Sequence, residues 1–459
     1  MSNGLDKLDE EITEGAQSPI TGISSAIGAG AILTSGARRR IIIELPAYML
    51  VQVAWFTAFG AQMVLFPYIL KNMLGVSGTL LGIAQMSLAA PSVVFILLGG
   101  VVAERADGKW LLVFFHVLAG LPAVALAYIL NIGGLEYWMM LAYAVAMGTI
   151  GAFMMPARDS ILNEVVARRR LAGSQLTLQQ GVAFATLAQF AAQIAGLWIG
   201  GMASSKGIWP LLGVQGAIVA AGAIAALFLD STQMVSTGRK GIGSVFGDIA
   251  DGMQCVRKNP VLLSMVVCMF GVGVFVIGSF LVVLPIINAD VYNHNSAGLR
   301  DIFVTFWAGA FCSSVTVSRF RSIARPGRLM LGSQLIGAIA ILVLATDASY
   351  WLFLCLIFLF GLAGGISIMM SRTVVQDAAP PELLARVLSI YQLGFMAGAP
   401  IGAAMMGVIA DQAGPRGVIF VPSVGMIAMI LWMIAFTPIW NMKMRPNPTP
   451  GDQPPTGPV

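Results

Sequence analysis

A chain of 459 residues that is 58% hydrophobic and only 10% charged, with a mean hydropathy of +0.85, cannot be a water-soluble globule. Its net charge of +5 sits in short gaps between apolar stretches, which points to lipid headgroups and argues against a nucleic-acid surface. Cys255, Cys268, Cys312 and Cys355 show neither disulfide nor metal spacing and read as small hydrophobes.

Residues 1–36 open with Asp6, Asp9, Glu10, Glu11 and Glu14 and continue rich in Gly, Ala and Ser, the reverse of a signal peptide, so a mobile tail is expected. Twelve apolar stretches follow at 46–70, 77–102, 109–131, 136–157, 173–203, 207–229, 260–288, 300–318, 329–346, 350–371, 382–410 and 417–440. About 20 apolar residues span the hydrocarbon core, and unpaired backbone groups are too costly there for an open sheet, so each stretch reads as a helix. Of the 26 Lys and Arg residues, 22 fall in the gaps that share a side with the N-terminus; Lys71, Lys206, Arg300 and Arg416 are the exceptions. Basic residues stay cytoplasmic, so both termini are expected there, in the plasma (inner) membrane. The long gap at 230–259 divides a six-helix half at 37–229 from another at 260–441, and a Pro-rich tail at 442–459 closes the chain.

The halves repeat. PARDSILNEVVARRRLAGSQ after span 4 aligns with SRTVVQDAAPPELLARVLSIY after span 10, pairing Arg158 with Arg372 and Asn163-Glu164 with Gln376-Asp377. The expected fold is an all-α integral membrane protein of 12 transmembrane helices in two pseudo-symmetric halves.

Charges crowd the gap between spans 2 and 3, GGVVAERADGKWLL. Gly100, Glu104, Arg105, Asp107 and Lys109 form either a solvated turn that sets topology or a cytoplasmic latch holding one conformation. Arg158, Asp159, Glu164, Arg372 and Asp377, at other cytoplasmic span ends, are gate ion pairs or solvated charges.

The pattern from Gly100 to Lys109, G-x-x-A-[DE]-R-x-D-x-[RK], resembles the first signature of the major facilitator superfamily. PARDSILNEVV, GDIADGMQCVRKNP and QDAAPPELLARVLSIY resemble the branch that holds the enterobactin exporter and macrolide efflux proteins. The resemblance covers roughly 45–440 and implies an alternating-access carrier with a cavity between its halves. Two departures stand out. Ala191 to Gly196 replaces the G-P-x-x-G-G of family antiporters, and Ala144 to Met155 lacks the superfamily's embedded arginine of span 4.

Inside the spans, Gln52, Trp55, Phe59, Gln62 and Phe66 share one helical stripe, either a cavity face suited to an amphiphile or a packing face. Ser264, Cys268, Gly271, Phe275 and Ser279 form a second such stripe, with Phe275 and Ser279 its cavity candidates. His116 is a proton-coupling candidate or a packing histidine, and Glu44 and Asp411 read as interfacial. Glycines 394, 398 and 402 read as close helix packing.

No phosphate loop, HExxH, GxSxG or CxxC motif is present, so neither an ATP-driven pump nor an enzyme is expected, and no cofactor or metal. The expected function is secondary export of a small amphiphilic organic molecule, siderophore- or drug-like, by a monomer, with protons as the coupling ion. Alternatives are a lysolipid or lipid flippase, and a non-transporting membrane platform that keeps the carrier fold.

Overall fold

The computed structural model describes residues 35–230 and 242–443, except positions 172, 175, 321, 322, 381 and 382. In the first half lie α1 (Ser35–Tyr68), α2 (Gly78–Arg105), α3 (Gly108–Asn131), α4 (Tyr137–Leu171), α5 (Leu178–Gly201) and α6 (Ile208–Ala226). After α7 (Ile242–Lys258) come α8 (Pro260–Val291), α9 (Ser296–Ser318), α10 (Pro326–Val343), α11 (Tyr350–Ala378), α12 (Leu384–Gly417) and α13 (Phe420–Phe436). All but α7 match the twelve expected spans, and ten are long and apolar enough to cross a membrane. The two others are α13, with 17 residues, and α9, whose first two turns carry Arg300 and Asp301.

The ends of these helices explain where the chain turns. Ser77, Asp107, Thr177, Asn259, Asn295 and Ser349 each accept a backbone N–H of the helix that follows, satisfying donors that lipid would leave bare. Gly207 and Gly414 bend the chain at positive φ values of 83° and 77°, where a side chain is strained. Helix α8 widens into π turns at Val272–Ile277, Ser279–Val283 and Ile287–Val291, which shift its backbone carbonyls out of α register.

One pairing scheme appears twice. In the first half α1 packs on α5, α2 on α4 and α3 on α6; in the second α8 packs on α12, α9 on α11 and α10 on α13. The halves meet along two seams, α2 on α12 and α5 on α9, which exchange when the halves are swapped. The expected architecture is therefore the one observed. The α8–α12 contact is close because a side chain at Gly398 would strike the Phe270 carbonyl and one at Gly402 the Val274 carbonyl.

Three boundaries differ from the sequence reading. Helix α4 runs unbroken to Leu171, so Arg158 to Arg170 are helical and not a loop. Residues 231–241 of the 230–259 gap lie outside the described residues, but the remainder folds as α7, whose Val256 is fully buried against the second half. Helix α1 starts at Ser35, two residues inside the expected N-terminal tail. The rest of that tail and residues 444–459 of the C-terminal one lie outside the described residues.

Candidate functional site

The molecule has two ends: a linker end, where α1 begins, α13 ends and α7 lies, and a distal end opposite. At the distal end, side chains cross between the halves. Asp411 of α12 accepts the Gly78 N–H at 2.6 Å and the Thr79 N–H at 2.8 Å, the first amides of α2. A carboxylate at a helix N-terminus meets orphan donors and the positive end of the helix dipole. Gly78 is required there, because an added Cβ would lie 2.8 Å from the Gly407 carbonyl oxygen and 2.9 Å from the Asp411 carboxylate. Lys71 pairs with Asp290 at 2.9 Å. Ser296, fully buried, donates to the Gly201 carbonyl at 2.9 Å and accepts the Ser204 N–H at 3.0 Å. The Arg300 guanidinium lies 4.1 Å from the Trp198 ring centre, and Gln85 donates to the Leu281 carbonyl, within a π turn of α8, at 3.1 Å.

Apolar packing follows the same division. The larger hydrophobic core joins the first half to distal residues of the second, among them Phe280, Ile302, Phe303, Ala403 and Met406. The other core, with Leu262, Met330, Val374 and Met433, belongs to the linker-end part of the second half alone.

At the linker end the described ion pairs each join elements of one half. Arg168 of α4 pairs with Glu44 of α1 at 3.0 Å and with Glu164 one turn away at 3.4 Å; Glu44 also accepts the Asp230 N–H at 3.0 Å. Arg386 of α12 pairs with Asp251 of α7 at 3.1 Å. Glu44, read as interfacial, is instead fully buried, because it caps the chain leaving α6 while neutralising Arg168. Within the latch segment, Asp107 accepts the Lys109 N–H at 3.0 Å as the N-cap of α3. Gly100, Glu104 and Arg105 lie in the last turns of α2, with the side chains of Glu104 and Arg105 outside what is described. Lys109 lies near the Trp110 ring, and Arg372 and Asp377 are exposed on α11.

Arg158 is the largest departure from the sequence reading. Only 4% exposed, it lies 4.8 Å from the Phe56 ring centre, and its Nη2 reaches Asp159 at 3.3 Å. Among the described residues its Nε and Nη1 donate no hydrogen bond of standard geometry, and the Tyr48 hydroxyl is a further polar neighbour of the guanidinium. Span 4 therefore carries a buried arginine after all, just beyond the stretch from Ala144 to Met155. The boundary placed at 157 hid it, because the helix continues in apolar surroundings contributed by α1.

The α1 stripe turns into the first half. Trp55 meets His116 edge-on at 6.0 Å and Phe66 stacks on Tyr143 at 6.0 Å; Gln52 and Gln62 are buried, while Phe59 is 41% exposed. His116 has its Nδ1 2.8 Å from the Leu112 carbonyl, and its ring fills the space left by Gly222, where a Cβ would lie 2.7 Å from Nε2. Ser279 donates to the Phe275 carbonyl of its own helix at 2.5 Å, and Phe275 packs on Gly425.

Sequence reasoning missed the distal contacts, whose partners lie up to 333 residues apart. It also missed Phe190, Trp307 and Phe311, which meet between α5 and α9. The signal for these was present in the aromatic run Phe303, Phe306, Trp307, Phe311 of span 8.

Comparison with known proteins agrees with this architecture. The curated enterobactin exporter EntS of Shigella flexneri is 27% identical over 143 residues, 31% of this chain and 35% of that protein. EntS of Escherichia coli K12 is 23% identical over 175 residues, 38% and 42% of the two chains, so less than half the length of either relative is matched. Among solved structures, the nucleoside transporter NupG superposes with a TM-score of 0.68 at 13% identity, covering 85% of this chain and 98% of that one. A bacterial homologue of the human lysosomal transporter Spinster gives 0.61 at 14% identity, covering 87% and 96%. The family model described as Major Facilitator Superfamily matches residues 47–387 and 302–458, and this multi-pass membrane transporter belongs to that family.

Proposed function

We propose that the protein is a secondary active exporter of a small amphiphilic organic molecule, working by alternating access in the plasma membrane with both termini cytoplasmic. The observation that carries this reading is the one-sided closure. Polar contacts and a continuous apolar core join the halves at the distal end, while the described linker-end ion pairs and core stay within one half. With 22 of 26 basic residues on the linker side, that end is cytoplasmic, and the conformation is shut to the outside. A carrier must also adopt the opposite arrangement, so these distal contacts are the ones that break in each cycle. The charge segment from Glu104 to Lys109 then serves as the latch of that opposite state.

The test is counterflow in proteoliposomes, with soluble aromatic amphiphiles competing against lysolipids. Saturable movement blocked by the soluble set supports export of a small amphiphile; competition by lysolipids alone makes the protein a flippase, and no flux with any probe sinks the transport reading. Proton coupling is assigned to flux that stops when the pH gradient and membrane potential collapse. Because His116 is packed against Gly222 and Trp55, His116→Gln is expected to leave that dependence intact; its loss would return His116 to the proton path.

A further inference from the structure

The α5–α9 seam holds a feature that neither helix packing nor the distal closure uses. The Ser296–Gly201 hydrogen bond fixes the register of these two antiparallel helices. Eleven residues inward on each lie Phe190 and Trp307, at a depth of about 16 Å from the closed end. That is roughly half the thickness of a bilayer core of about 30 Å. There the Phe190 ring of one half meets the Trp307 ring of the other at 5.9 Å and Phe311 at 6.2 Å. Among the described residues, these are the ring–ring contacts that cross between the halves. Toward the linker end the rings become accessible: Phe311 is 38% exposed and Phe184 is 50% exposed.

Within this group the Trp307 indole N–H has no acceptor among the described residues, and its nitrogen is inaccessible. An indole nitrogen only donates, and a buried one normally finds a partner. The enclosure of the nitrogen keeps water from supplying that acceptor, and lipid tails offer none. The rings around it offer flat apolar faces, with Phe306 at 5.6 Å behind. What the group lacks is a planar partner that brings an acceptor.

We propose that Phe190, Trp307 and Phe311 form the aromatic subsite of the transport pathway. Its ligand class is an aromatic or heteroaromatic ring bearing a hydrogen-bond acceptor, which takes the Trp307 N–H. This rests on the export reading and narrows its substrate class. Since each half supplies one wall, a bound ring bridges the seam that must rearrange in transport.

The test is equilibrium binding, which needs no transport. Protein labelled with 15N-tryptophan in lipid nanodiscs is titrated with quinoline and with naphthalene, isosteres that differ in one ring-nitrogen acceptor, and partitioning is corrected with empty nanodiscs. The wild type should bind quinoline about fivefold more tightly, as one neutral hydrogen bond gives, and the Trp307 indole resonance should move downfield with quinoline alone. Trp307→Phe should bring the two affinities together while naphthalene affinity stays within about twofold. Phe190→Ala should weaken both. Equal affinities in the wild type, a preference that survives Trp307→Phe, or no binding of either probe would overturn the subsite. The wild-type comparison requires no variant to fold. Failure here alongside flux in proteoliposomes removes the aromatic subsite only; binding here without any flux removes the export reading and leaves a ligand site.

Discussion

The two ends of this molecule use similar interactions for different ends. At the linker end, Glu44, Glu164 and Arg168 tie α1 and α4 within one half, and Arg386 and Asp251 tie α12 to α7 within the other. At the distal end, Asp411 and Gly78, Lys71 and Asp290, and Ser296 and Gly201 tie one half to the other. A contact within a half survives the change of state and adds to stability. One between halves is present in a single state and sets its population. Burial sharpens the contrast: Glu44 is fully buried, whereas Asp411 is exposed and within reach of solvent.

The largest expected effect is therefore on stability. Glu44→Ala leaves the Asp230 N–H and the Arg168 guanidinium short of an acceptor in a buried site, and should cost about 1–3 kcal/mol. The apparent midpoint of thermal unfolding should fall, while spin-label distances between the distal residues Ile132 and Phe420, one in each half, stay at their wild-type values. A shift in those distances would mean that this end also takes part in gating.

Asp411→Ala should do the converse. Losing a helix cap is worth roughly 0.5–2 kcal/mol, and the exposure of Asp411 places the effect near 1 kcal/mol. That is about a fivefold gain of the state open at the distal end. The Ile132–Phe420 distances should lengthen, with little change in the unfolding midpoint. Unchanged distances would reduce Asp411 to a surface cap.

Much of this contrast was legible in the sequence, though not its partners. Hydropathy marks a span because the bilayer imposes a length, and basic residues mark its cytoplasmic end because moving them across is costly. The twelve spans followed from those two constraints. Periodicity shows which residues share a face but not what the face meets, so the stripe from Gln52 to Phe66 read equally well as cavity or packing. Charge was a poor guide to burial: Glu44 and Arg158 were assigned to span ends, yet the flanking helices enclose both. Helix α7 escaped notice because it is amphipathic and too short and polar to span. It is held by Val256 and by Asn259, which caps α8 and donates to the Ala378 carbonyl at 3.2 Å. Long-range pairs such as Asp411 and Gly78 have no local signal.

The smallest expected effect tests whether a contact between halves matters when it is a single, partly exposed ion pair. The Lys71 and Asp290 side chains are 17% and 35% exposed, and a pair so placed contributes about 0.2–1 kcal/mol, less as salt rises. Lys71→Gln or Asp290→Asn alone should move the distal population by less than about fivefold, in the same direction as Asp411→Ala. The charge-reversed double variant, Lys71→Asp with Asp290→Lys, should restore the wild-type distances if attraction across the seam is the cause. Raising the salt concentration should reduce the effect of each single variant and spare that of Asp411→Ala, whose hydrogen bonds to the α2 amides are made at contact distance. A double variant that stays open would show that local packing at Lys71 matters and charge does not. Position between the halves would then be too little to make a partly exposed ion pair a gate.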